Sequence, residues 1–92
     1  MLPNAADIAY FLEVAQTLSI SRAAERLGIT QPSLSLAIQR LEYSLGVSLL
    51  NRLKSGVQLS SHGQRFVQQA QKLTFEWERI KTETLKLSEE IR

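Results

Sequence analysis

Cysteine is missing from the 92 residues. Disulfide scaffolding, a thiolate metal cluster and a cysteine nucleophile are thereby excluded, and the composition suits a reducing compartment. There is one histidine, and aromatic residues make up only 7%. His62 has no acidic or histidine partner at ligand spacing, so a surface or capping role suits it better than metal binding or catalysis. No run of about 18 apolar residues occurs. The N-terminus also lacks the basic, apolar, small-residue order of a signal peptide, so no membrane partner is expected and a cytoplasmic location is. Eleven basic residues face nine acidic ones for a net charge of +2, divided 5 and 4 in residues 1–60 and 6 and 5 in residues 61–92. No block of one sign announces a partner. A glycine-rich phosphate loop and a histidine beside a nucleophile are both lacking, so neither an enzyme nor a cofactor site is expected. A chain of this length makes one small domain with little depth for a closed cavity, which places function on the surface.

Glycine and proline are few, four and two, and they punctuate an otherwise helical pattern. Asn4 offers a cap, Asp7 an acid in the first turn, and Ile8, Phe11, Leu12 and Ala15 recur at helical spacing, predicting a first helix over 4–18. Ser21 offers a second cap to a short helix carrying Ala23, Ala24 and Leu27 that stops at Gly28. Thr30 caps a third helix to about Leu45-Gly46, with Pro32 in its first turn, where no helical N–H bond is lost. Between residues 47 and 59 the period changes, and Leu49-Leu50-Asn51-Arg52 and Val57-Gln58-Leu59 flank Lys54-Ser55-Gly56 as a small hairpin. Ser60 then caps one helix of about eight turns over residues 61–91.

On that last helix Phe66, Ala70, Leu73, Trp77, Ile80, Thr84, Leu87 and Ile91 are separated alternately by four and three residues. This is an a/d seam over nearly four heptads, with one polar interruption at Thr84. A helix folded back on its own body explains the first two turns of the seam but not the last four, so the expected partner is the same helix of a second chain, giving a homodimer. Trp77, on the seam, is a packing residue rather than a base-stacking one.

Residues 20–39 carry the most information. Two helices joined by a tight turn need a small residue at their crossing and a residue free to turn left-handed, which Ala24 and Gly28 supply. Ala23, Leu27, Ile29, Leu34, Ala37 and Ile38 fill the interior positions, the pattern of a helix-turn-helix. The same layout also occurs in helix pairs that bind nothing; the hairpin that follows favours a DNA-binding reading. At about 100° per residue, Leu34, Ala37, Ile38, Leu41 and Leu45 share an apolar arc, and Pro32, Ser33, Ser35, Leu36, Gln39 and Arg40 face away from it. Hydroxyls and amides at the N-terminal end of that face suit phosphate oxygens and base edges, and Gln31 and Gln39 suit adenine. Leu36 is either an incidental surface residue or a contact to a thymine methyl group. Arg52, Lys54 and Ser55 sit where a wing would reach phosphates or the minor groove, although a solvated hairpin also carries such residues and Arg52 could instead be structural, pairing with Glu42 or with a helix end.

Ser21-Arg22-Ala23-Ala24-Glu25-Arg26-Leu27, Thr30-Gln31-Pro32-Ser33-Leu34-Ser35, Ala37-Ile38-Gln39-Arg40-Leu41-Glu42, Leu45-Gly46-Val47, Leu49-Leu50-Asn51-Arg52 and Leu59-Ser60-Ser61-His62-Gly63 together resemble the N-terminal domain of LysR-type transcriptional regulators. The resemblance runs over essentially the whole chain. It implies a mainly helical winged helix-turn-helix over residues 1–60 (motif 20–39, wing 47–59) and a linker and dimerisation helix over 61–92 that pairs antiparallel in a homodimer. It further implies sequence-specific binding to double-stranded operator DNA in the cytoplasm, at the nucleoid. The effector-binding domain of such regulators, which senses a small molecule, is absent from these residues. By position Thr30, Gln31, Pro32, Ser33 and Ser35 match the stretch of the recognition helix that the family uses for DNA, and Arg52 matches its basic wing residue. Leu36 stands where a basic residue is common and Ser55 where a second arginine often sits. Two fewer cations should flatten the salt dependence of binding. The competing expectation is a coiled-coil interaction module in which the helix-turn-helix is only a scaffold.

Overall fold

The computed structural model describes residues 4–91, with side chains described through Ser88. The elements are helices α1 (Ala5–Thr17), α2 (Ile20–Leu27) and α3 (Gln31–Leu45), strands β1 (Leu50–Leu53) and β2 (Gly56–Leu59), and helix α4 (Ser61–Ile91). The strands pair antiparallel, with Leu50 opposite Leu59 and Leu53 opposite Gly56.

Short polar side chains set the helix starts. Asn4 Oδ1 accepts the Ala6 N–H at 2.8 Å, and Thr30 Oγ1 accepts the Ser33 N–H at 3.2 Å. The cap of α2 is Ser19, not Ser21: its Oγ accepts the Arg22 N–H at 3.2 Å. The cause lies at Leu18, which ends α1 in a left-handed conformation (φ 54°) and leaves Ser19 extended (φ −149°), the backbone state that an N-cap requires. Ser21 falls inside the first turn, its hydroxyl 3.1 Å from that of Ser19. A left-handed leucine costs about 1–2 kcal/mol, which its surroundings offset. Its N–H bonds to Val14 O at 2.7 Å, and its carbonyl accepts the Val57 N–H of the hairpin at 3.4 Å. Gly28 (φ 70°) and Gly46 (φ 75°) end α2 and α3 in the same basin, at no Cβ cost.

The core gathers Phe11 and Val14 from α1, Ala23 and Ala24 from α2, and Leu34, Ile38 and Leu41 from α3, with Leu49, Leu50 and Val57 of the hairpin segment closing it. Ala24 is the small residue that lets α2 lie close to its neighbours. Leu45, expected on the apolar arc, is exposed along with Tyr43, Ser44 and Gly46, because the last turn of α3 projects past the packed layer.

α4 starts under tight control. Ser60 N–H donates to Leu49 O at 2.9 Å, Ser60 Oγ donates to Ser48 O at 2.7 Å, and the same Oγ accepts the Gly63 N–H at 3.0 Å. Phe66 then meets Phe11 edge-on, ring centroids 5.5 Å apart and planes at 72°, and Ala70 is buried. These two residues were expected in an intermolecular seam; they belong to the core of their own chain, as does the start of α4, so the packed body runs past residue 60. From Gln71 through Ser88 every residue is exposed.

Candidate nucleic-acid interface

The N-terminal half of α3 presents an open outer face. The Thr30 hydroxyl is spent in the cap, accepting from Ser33 N–H and donating to Ser33 Oγ at 2.8 Å. Gln31, Pro32, Ser33, Leu36 and Gln39 are exposed, and Ser35 is half-buried. The free N–H groups of the first turn add a partial positive charge at that end, favourable to phosphate.

Arg40 lies on the same outer face but is already engaged. Its Nε and Nη2 donate to the two oxygens of Asp7 at 3.1 and 3.0 Å, a paired geometry that fastens α3 to α1 across 33 residues of sequence. Hydrogen bonding to the Asp7 carboxylate raises the pKa of Arg40 above its ordinary value, outweighing desolvation, with the coulombic attraction acting in the same direction. Asp7 was read as an acid for the first turn of α1; it is 3% exposed and acts as the buried half of this pair.

The hairpin turn places Lys54 and Ser55 at its tip, with Arg52 on the strand opposite Val57, all three exposed. Among the described residues neither Arg52 nor Lys54 forms an ion pair. The suggested partner for Arg52, Glu42, is otherwise occupied: its Oε2 accepts the Leu49 N–H at 2.7 Å and the Leu50 N–H at 3.4 Å, tying the hairpin to α3. The wing is held from its other side by Leu18 O. Gly56, at φ 145°, sits where a Cβ would come within 2.9 Å of that carbonyl. Arg22, in the first turn of α2 at the head of the helix-turn-helix, is a further exposed cation.

α4 exposes Leu73, Trp77, Ile80 and Leu87 of the seam, along with off-seam Phe75 and Leu85. Thr84 turns its hydroxyl inward to Ile80 O at 2.8 Å, so the polar interruption is satisfied within the helix. Ile91 lies outside the residues whose side chains are described. Ion pairs Glu76–Arg79, Glu78–Lys81 and Glu83–Lys86 run along the helix. The hydrogen bond from Arg79 lowers the pKa of Glu76 and raises that of Arg79.

A short helix, a left-handed glycine turn, a second helix with its outer face open, and a hairpin carrying unpaired cations define a winged helix-turn-helix DNA-binding domain. Residues 5–64 match the family model described as bacterial regulatory helix-turn-helix protein, lysR family, and the chain belongs to that family. It is 43% identical over 83 residues to the Hca operon transcriptional activator HcaR of Escherichia coli, covering 90% of this chain and 28% of that protein. It is 52% identical over 58 residues to the regulator IlvR of Caulobacter vibrioides, covering 63% and 20%. The chain thus spans less than a third of the length of these curated relatives. Among solved structures, that of the CbnR DNA-binding domain in complex with DNA superposes with a TM-score of 0.86 at 30% identity, covering 90% of this chain and 95% of that one. The BenM DNA-binding domain on catB site 1 DNA gives 0.85 at 35% identity, covering 90% and 93%.

Proposed function

We propose that this chain is the operator-reading part of a transcriptional regulator, acting in the cytoplasm as a homodimer through α4. Its work is recognition rather than catalysis, and a small-molecule effector would act on a separate domain. The observation that carries the reading is the open outer face of α3, from Gln31 to Gln39, beside a wing whose cations are unpaired. In this reading Gln31, Ser33, Ser35 and Gln39 face base edges and phosphates in the major groove, and Arg52, Lys54 and Ser55 meet the flanking backbone or minor groove.

The dimer follows from α4. Beyond Thr74 the helix extends for about 26 Å. Trp77, Ile80 and Leu87 are all 44% or more exposed along this part, and Leu73 just before it is 58% exposed. A helix arm without a packed face is marginal in water, and a second copy of the same seam supplies that face. Two bodies joined this way bind half-sites related by a two-fold axis.

Selection of bound sequences from a random duplex pool at two salt concentrations, with the bound species sized, tests both parts. Enrichment of an interrupted palindrome by a dimer, weakening as salt rises, is the expected result. A folded dimer that enriches nothing at either salt would refute the DNA assignment and point to α4 as a protein-interaction element.

A further inference from the structure

The chemistry left available on α3 is unusual for a DNA-reading face. Its one cation is Arg40. The Nε/Nη2 edge of that guanidinium, one of its two edges able to make a parallel pair of bonds, is occupied by the Asp7 carboxylate, which holds the side chain to α1. The Thr30 hydroxyl is closed into the cap. Leu36 stands out in the middle of the face, 55% exposed. Pro32, Ser33, Gln39 and Arg40 are its neighbours three and four residues away along the helix, and all are exposed themselves. The major-groove edges of the bases carry one apolar group, the 5-methyl of thymine; guanine presents only acceptors there, for which a leucine has nothing to offer.

We propose that Leu36 is a specificity-determining residue that packs on the 5-methyl group of a thymine, and that Asp7, by holding Arg40, keeps the helix's cation from competing for a guanine at that step. The proposal rests on the DNA-binding reading above and adds the base that this position reads. Burial of one methyl-sized group corresponds to about a fourfold change in affinity.

The test uses the duplex enriched by the wild-type chain, with each thymine in turn replaced by deoxyuridine, which removes the methyl group and leaves base pairing intact. Wild type, Leu36→Ala and Leu36→Met are compared by fluorescence anisotropy, with thermal unfolding as a check that these half-exposed substitutions leave the fold intact. Wild type should lose about fourfold at one thymine per half-site. Leu36→Ala should bind the thymine and deoxyuridine duplexes there alike, and Leu36→Met should restore the difference. If wild type and Leu36→Ala give the same deoxyuridine profile, Leu36 reads no methyl group and the assignment is overturned while DNA binding stands. If no duplex is enriched in the first place, the DNA-binding reading fails and takes this assignment with it.

Discussion

Replacing Gly63 with alanine sets two effects of opposite sign against each other. Gly63 lies in the first turn of α4, where helix propensity favours alanine by about 1 kcal/mol. A Cβ built there would stand 2.1 Å from Leu49 O and 3.1 Å from Leu49 C. Both are backbone atoms, so the start of the helix has to withdraw by roughly 1.3 Å or more to reach ordinary contact. Withdrawal strains the bonds from Ser60 N–H to Leu49 O and from Ser60 Oγ to Ser48 O. Overpacking costs ~1–3 kcal/mol and two weakened hydrogen bonds ~1 kcal/mol each. After the propensity gain, Gly63→Ala should be destabilised by about 2–4 kcal/mol. For a domain of this size that lowers the Tm by roughly 8–30 °C. Thermal unfolding followed by circular dichroism measures it, at one fixed protein concentration because the proposed dimerisation would shift apparent stability. Gln64→Ala, at the exposed neighbouring position, is the control and should change stability by no more than about 0.5 kcal/mol. A Gly63→Ala chain as stable as that control would refute the close approach of α4 to Leu49.

Arg40→Ala should lower the Tm more than Asp7→Asn, because the first strands a carboxylate that is 3% exposed whereas the second leaves a half-exposed guanidinium that water can solvate; thermal melts of the two variants in one buffer decide it, and the reverse order would contradict the placement of Asp7. Trp77→Ser combined with Ile80→Ser should shift the chain from dimer to monomer in sedimentation velocity, with the body still folded, since neither residue belongs to its core. Arg52→Ala should reduce the slope of log affinity against log salt by about 0.9, the signature of one lost phosphate contact, on enriched and random duplexes alike.

Much of the fold was legible because local rules and tertiary packing agree. Asn4, Thr30 and Ser60 cap where short polar side chains precede apolar periodicity, and Gly28 and Gly46 end helices where only glycine is free of steric cost. The cap of α2 was misplaced because a leucine took the left-handed position that propensity reserves for glycine or asparagine, on the strength of a hydrogen bond from the hairpin 39 residues away. The seam of α4 repeats evenly across Phe66, Ala70 and Leu73, yet the body ends between the last two; periodicity records which face is apolar, not what lies against it. The helical wheel marks the outer face of α3, and of its residues all but the half-buried Ser35 are exposed as the wheel requires. What the wheel could not show was that Asp7 had claimed Arg40, or that Glu42 served two backbone N–H groups rather than Arg52. Such polar partners meet only after the chain has folded, and no spacing in the sequence marks them.

The Leu18 corner bears on how operators are told apart. Its carbonyl holds the hairpin, and Glu42 grips the same hairpin from α3, so neither the wing nor the recognition helix has an inexpensive way to shift against the other. On the DNA-binding reading proposed above, this body acts as a caliper of fixed opening, and most of the adjustment on contact comes from the duplex. The energy of narrowing, twisting or bending DNA depends on its base steps, including those no side chain touches. Two operators with identical contacted bases but differing stiffness between them would accordingly be bound with different affinities, and elasticity would become part of the recognised message.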